Sequence, residues 1–264
     1  MVESLGELKA GRNPICAAKG KNREMMMDID VLKILRPSVE TVGSRTGELA
    51  VLLVRGEVDV SWQGKTASMK RNSEFDENPW CLHVPKNVEV RIRAVAEESD
   101  VLVQSTENDR DFEPKLYRPE DCRTEVFGDG EWDGTARRKV RTVFDYSNAP
   151  YSNMVLGEVI TWPGKWFSYP PHHHPQPEVY YYRFNRPQGF GLCLNGDEAY
   201  KVTDNSYAAI HGGDAHPQTS APGYVMYYCW MIRHLPGNPW KDRIVEKEHE
   251  WLCKKGVRIW PDQE

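Results

Sequence analysis

The chain has 264 residues, 39% of them hydrophobic, which permits one large domain or two of average size around a substantial core. Its net charge of -5 comes from well-mixed signs, so no basic stripe points to nucleic acid and no block of like charge suggests a tail. No apolar run approaches the length of a membrane span, and the N-terminus, MVESLGELKAGRNP, lacks an apolar signal core.

The first half reads as short β-rich runs. ELAVLLV precedes an expected turn at Arg55-Gly56. EVDVSW follows, with Val58, Val60 and Trp62 alternating with polar residues, and then a turn at Gln63-Gly64. CLHV ends at Pro85-Lys86-Asn87, and VEVRIRAV alternates again. A polar stretch over 106–139 reads as a linker with one strand at most. The second half repeats the habit, with expected strands at 154–162, 178–184, 189–194, 198–203, 206–211 and 224–232. KDRIVEKEHE, at 241–250, reads as a short amphipathic turn or helix.

Regular short strands with frequent turns predict an all-β fold of sandwich or barrel type. The halves also echo each other: WCLHVPKNVEVRIRA and SYAAIHGGDAHPQTSAPGYVMYY are each a strand, a turn and a longer strand. We therefore expect two similar β domains: an N-terminal one at 1–105 without a metal, and a C-terminal one at 140–264. The six cysteines are scattered with no C-x-x-C pair, which fits free thiols in a reducing cytoplasm.

The chemistry concentrates in PPHHHPQPE, residues 170–178. On a strand, His172 and His174 share one face and His173 takes the other. Glu178 keeps the parity of His174 if residues 175–177 stay extended. Two imidazoles and a carboxylate on one face suit a first-row divalent metal. The flanking prolines stiffen the approach. The fourth candidate ligand is His216, in the loop G-G-D-A-H, where Gly212 and Gly213 permit a tight turn. His83, His211, His234 and His249 read as structural, with His211 near enough in sequence to support His216. Tyr180 and Tyr182 follow Glu178 at strand period and are candidates to line the pocket or relay protons, with core packing as the alternative.

The pattern H-x-H-x3-E…G-x-x-H resembles the two cupin motifs, here within a two-cupin chain. GKWFSYPPHHH, PEVYYYRFNRPQGFGL, HPQTSAPGYVMYY and EHEWL resemble the 5-deoxy-glucuronate isomerases of myo-inositol breakdown, which share a superfamily with the 5-keto-4-deoxyuronate isomerases of pectin breakdown. ELAVLLVRGEVDVSWQG and HVPKNVEVRIRA extend the likeness into the first half, so that it covers most of residues 45–252.

Three departures fall near the pocket. The segment between the histidines and Glu178 is shorter than is usual, LNGDEAYKV is an abbreviated acidic stretch, and Trp230 stands where the family has asparagine after the paired tyrosines.

The resemblance implies two cupin barrels and an aldose–ketose isomerisation of a deoxy-uronate, from 5-deoxy-glucuronate to 5-dehydro-2-deoxy-gluconate. A proton moves between C1 and C2, a divalent metal (zinc or manganese, on the resemblance) acts as Lewis acid on the two oxygens, and a general base shuttles the proton. Glu178, Tyr180 and Tyr182 are the catalytic candidates. Arg183, Lys165 and Arg233 are the candidate partners for the substrate carboxylate. Alternatives are the pectin-pathway isomerase, a cupin metal oxygenase, and a sugar-binding cupin without catalysis. Exposed sheet edges lead us to expect a homodimer or higher homo-oligomer.

Overall fold

The computed structural model describes residues 1–261 and is built almost wholly of antiparallel strands; residues 262–264, the end of the expected C-terminal domain, lie outside it. Two barrels stand side by side. In the first, Gly47–Trp62 is flanked by Trp80–Val84 and Glu98–Glu107, with Asp28–Leu35 and Gly11–Cys16 beyond. In the second, Glu178–Phe184 is flanked in the same way by Ser206–Ile210 and Met226–Arg233, with Met154–Thr161 and Arg138–Phe144 beyond. This is the internal repeat that the sequence suggested.

Three apolar layers explain the patterns. Leu49, Val51 and Leu53 fill the first barrel, while Ala50, Leu52 and Val54 on the same strand face the neighbouring barrel. Tyr180 and Tyr182 fill the second barrel, while Val179 and Tyr181 meet the first. Strands buried on both faces read as continuous apolar runs rather than alternations, which is why ELAVLLV and EVYYYRF look alike in the sequence.

Several expectations change. No turn occurs at Arg55-Gly56: Gly47–Trp62 is one bent strand whose register shifts between Leu53 and Arg55, carrying it from one sheet of the barrel to the other. Gly56 sits there at φ 105°, and a Cβ would lie 2.8 Å from the Glu98 carbonyl oxygen. This is a bulge, which bends a strand without ending it.

The stretch 106–139 is more than a linker. Lys115–Tyr117 pairs with Trp80–Val84 of the first barrel, and Arg123–Phe127 pairs with Arg138–Phe144 of the second. Val2–Ser4 likewise crosses over, pairing with Ser206–Ile210. Each added strand covers an edge that would otherwise stand unpaired. The 241–250 segment forms a two-residue strand, Ile244–Val245, followed by a 3-10 helix, Lys247–Cys253. Among the described residues no helix is long and apolar enough to cross a membrane.

Candidate metal centre

His172 and His173 form a short strand against Ile244–Val245. Parity holds: His172 and His174 are buried, while His173 turns outward and its Nδ1 meets Glu246 Oε1 at 2.5 Å. Residues 175–177 bend rather than extend, yet Glu178, the first residue of its strand, still faces His174. The loop carrying His216 docks on that bend, with the Gly213 N–H donating to the His174 carbonyl at 2.9 Å. At Gly212 a Cβ would fall 1.9 Å from the Pro175 carbonyl oxygen, so only glycine permits the approach.

Glu178 Oε2 lies 3.2 Å from both His174 Nε2 and His216 Nε2, and one donor atom from each of the three residues falls within 4.8 Å of the others. His172 stands just beside this group, its ring centroid 5.3 Å from that of His216. The three inward imidazoles share one habit. Each Nδ1 meets a backbone carbonyl: Pro170 for His172 at 2.8 Å, Gln176 for His174 at 3.0 Å, and Asp214 for His216 at 2.8 Å. That contact holds a proton on Nδ1 and aims Nε2 inward, the arrangement found behind metal-bound histidines. Two such nitrogens face one carboxylate oxygen, as they would around a shared cation. An N···O spacing of 3.2 Å also matches the chord between two ligands at ~2.1 Å from a common ion, ~3.0 Å at a right angle and ~3.4 Å at the tetrahedral angle. The donor set therefore fits a divalent metal.

Electrostatics agree. Burial pushes the Glu178 carboxyl up, but the hydrogen bonds and charge of His174 and His216 outweigh it and hold its pKa at about 2. Burial, then repulsion from His216, lowers His172 to about 3, so that its imidazole is neutral.

These residues line a cavity of about 180 Å³, below the ~300–1,000 Å³ of drug-sized sites and suited to a small metabolite. Tyr180 is in its wall, its hydroxyl 3.2 Å from Ser168 Oγ. Burial, then the charge of Glu178, raises its pKa well above the usual phenol value, so it stays protonated. Tyr182 shares that face, but its hydroxyl donates to Gln218 at 2.7 Å and it is not in the cavity wall.

None of the three expected carboxylate partners reaches the cavity. Arg183 faces the first barrel and is neutralised by Asp100 and Asp204, each at 3.1 Å, and Glu74 at 3.7 Å, at a separate cleft of about 460 Å³. Strand alternation is the reason: Tyr182 points into the barrel, so Arg183 points out. The same rule turns Arg233 outward beside Ile232, and its guanidinium donates to the His234 carbonyl. Lys165 lies in a surface turn, where its carbonyl accepts from the Ser220 N–H and the Thr219 hydroxyl, and it is not in the cavity wall. The cations in the cavity wall are instead Arg123, Arg138 and Arg243. The alternation Arg138-Val140-Thr142 in RKVRTVF was the available signal, but which face it presents is set by pairing with Met154–Thr161, which the sequence does not reveal.

Two antiparallel barrels, one with an imidazole–carboxylate group inside it, make this a two-barrel cupin protein. Solved structures share the fold. An IolB-like protein from Salmonella typhimurium superposes with a TM-score of 0.85 at 22% identity, covering 96% of this chain and 99% of that one. Bacillus subtilis oxalate decarboxylase superposes with a TM-score of 0.65 at 11% identity, covering 93% and 79%. Residues 2–252 match the KduI/IolB family, and the chain belongs to it. Its relatives include the 5-deoxy-glucuronate isomerase of Shouchella clausii, 27% identical over 82% of this chain and 83% of that protein. That of Bacillus velezensis is 25% identical over 94% and 96%.

Proposed function

We propose that this chain is a metal-dependent aldose–ketose isomerase that converts 5-deoxy-glucuronate to 5-dehydro-2-deoxy-gluconate, with His172, His174, Glu178 and His216 as metal ligands. The observation that carries the reading is the set of three Nδ1-anchored histidines converging on Glu178 inside a barrel of the KduI/IolB family. Bound there, a divalent cation, zinc or manganese on the family resemblance, would supply Lewis acidity to a carbonyl and the adjacent hydroxyl. Glu178 balances its charge. Tyr180, protonated and held by Ser168, donates a hydrogen bond to a substrate oxygen rather than removing a proton. Tyr182 is a packing residue behind it. Six free cysteines, five of them buried, support a reducing, cytoplasmic setting. The exposed edge strand Arg123–Phe127 supports a homo-oligomer paired there.

The test combines metal analysis with turnover. The purified protein should carry about one divalent ion per chain and convert 5-deoxy-glucuronate, with activity lost to chelator and restored by metal. His174→Ala should lose the ion while the fold persists. A fully loaded protein inactive on both 5-deoxy-glucuronate and 5-keto-4-deoxyuronate would defeat the isomerase reading. Metal retained at full affinity in His174→Ala would defeat the ligand assignment.

A further inference from the structure

Arg138 opens the strand Arg138–Phe144, and its side chain turns inward, 4% exposed. Its guanidinium carbon lies 5.3 Å from the Phe127 ring centroid and 5.5 Å from that of Phe167. Nη1 donates to the Ala136 carbonyl at 2.8 Å, and the buried Nε has no partner. Neighbouring arginines are matched by carboxylates: Arg141 by Glu158, and Arg123 by Glu125 and Asp145. Arg138 and Arg243 form no ion pair with any described residue, and Glu125, on the same wall, is already held by Arg123.

A buried guanidinium without a counter-charge is costly. Burial, then repulsion from Arg243, lowers the Arg138 pKa to about 10, which leaves it charged at neutral pH. Two further donors in the wall, Trp230 Nε1 and Trp240 Nε1, are also buried without partners. The cavity thus offers metal ligands and two unmatched guanidinium groups.

We propose that Arg138, assisted by Arg243, seats the carboxylate of the sugar acid, while the carbonyl end of the same molecule lies at His174, Glu178 and His216. This rests on the isomerase reading and adds the residue that selects an acid over a neutral sugar. The planar guanidinium fork matches a carboxylate in two parallel hydrogen bonds, and the flanking phenyl rings keep it in place.

The experiment compares 5-deoxy-glucuronate with its uncharged counterpart, in which CH2OH replaces the carboxylate. Arg138→Gln should raise KM for the acid on the order of 10- to 100-fold with a much smaller change in kcat. Its kcat/KM for the uncharged counterpart should stay within about threefold of wild type. Arg243→Gln, at an exposed position, should shift KM the same way by less. Arg138→Lys, which keeps the charge but loses the fork, should fall between wild type and Arg138→Gln. Metal content and Tm, read on each variant, separate a lost contact from a lost fold. Should Arg138→Gln not fold, Arg138→Lys and Arg243→Gln carry the comparison. An unchanged KM in folded, metal-loaded variants overturns the assignment and leaves the isomerase reading standing. If the wild-type protein turns over no sugar acid, the isomerase reading fails and calorimetry with D-glucuronate decides. Binding that Arg138→Gln abolishes upholds the anion seat, and no binding to wild type overturns it.

Discussion

Gly157 has no room for a side chain. It pairs with Trp230 across the sheet, and a Cβ there would lie 2.5 Å from the indole ring. Trp230 is therefore laid flat over a bare stretch of backbone and becomes part of the cavity wall. Glycine and tryptophan thus act as a matched pair in the pocket wall. Gly157→Ala should push the indole off its seat. Overpacking of this kind costs about 1–3 kcal/mol, read as a lower Tm, together with altered KM for the sugar acid. Trp230→Asn in the Gly157→Ala background should recover most of the Tm loss, because the two residues share one space. Additive losses in the double variant would show that the pair is not coupled.

At the scale of elements, what could be read from the sequence was what strand parity fixes locally. H-x-H-x3-E and G-x-x-H give the side-chain directions over a few residues, and the fold keeps them even though residues 175–177 bend. The bend at Gly56 was hidden because a bulge and a turn use the same residues. The strand Arg123–Phe127 was hidden because it is exposed along its length, so it leaves no apolar pattern. The cations failed for another reason: parity turned Arg183 away from the site but could not say which strand's arginine would replace it. The C-terminal segment shows the same limit, because nothing local announces that it lies against the histidines. It is tied down by the Trp240 N–H, which donates to His234 Nδ1 at 2.9 Å, and by the Glu246 N–H, which donates to the Pro171 carbonyl at 2.9 Å. Burial lowers the His234 pKa to about 4; Arg233 adds to this and Glu48 opposes it. The unfolded chain takes up this proton near pH 6.5 and the folded one only near 4, so the unfolded state binds more protons in between. The stabilisation is complete above pH 6.5 and is lost as the pH falls towards 4. His234→Asn, which keeps an acceptor for the Trp240 N–H but cannot titrate, should flatten the fall of Tm between pH 6.5 and 4. An identical slope in both proteins would remove His234 as its cause.

Across the whole molecule the barrels are joined by more than apolar packing. Glu158, fully buried on the second barrel's outer face, accepts from Arg71 Nη1 at 2.7 Å and Nη2 at 2.8 Å, and from the Tyr227 hydroxyl at 2.8 Å. Arg141 Nη1 lies 3.4 Å away. Arg71 belongs to the first barrel and also donates to the Leu53 and Glu77 carbonyls, while Arg141 donates to those of Glu74 and Phe75. One carboxylate thus faces two guanidinium groups in a dry interface, with the chain between Glu74 and Glu77 held across them. Burial alone would lower the Arg71 pKa, but the charge of Glu158 more than reverses this, so Arg71 stays charged. Removing Glu158 strands two buried cations, which costs about 3–5 kcal/mol, whereas exchanging a whole buried ionic group for apolar residues is often neutral. Glu158→Gln should therefore lower Tm by on the order of 10 °C in a chain of this size. Glu158→Leu combined with Arg71→Met and Arg141→Leu should recover much of that loss. Calorimetry distinguishes the outcomes. If Glu158→Gln unfolds at the wild-type temperature, the ion group contributes nothing to joining the barrels. If the triple variant melts lower still, the arginines act mainly through the carbonyls of residues 74–77 rather than through Glu158.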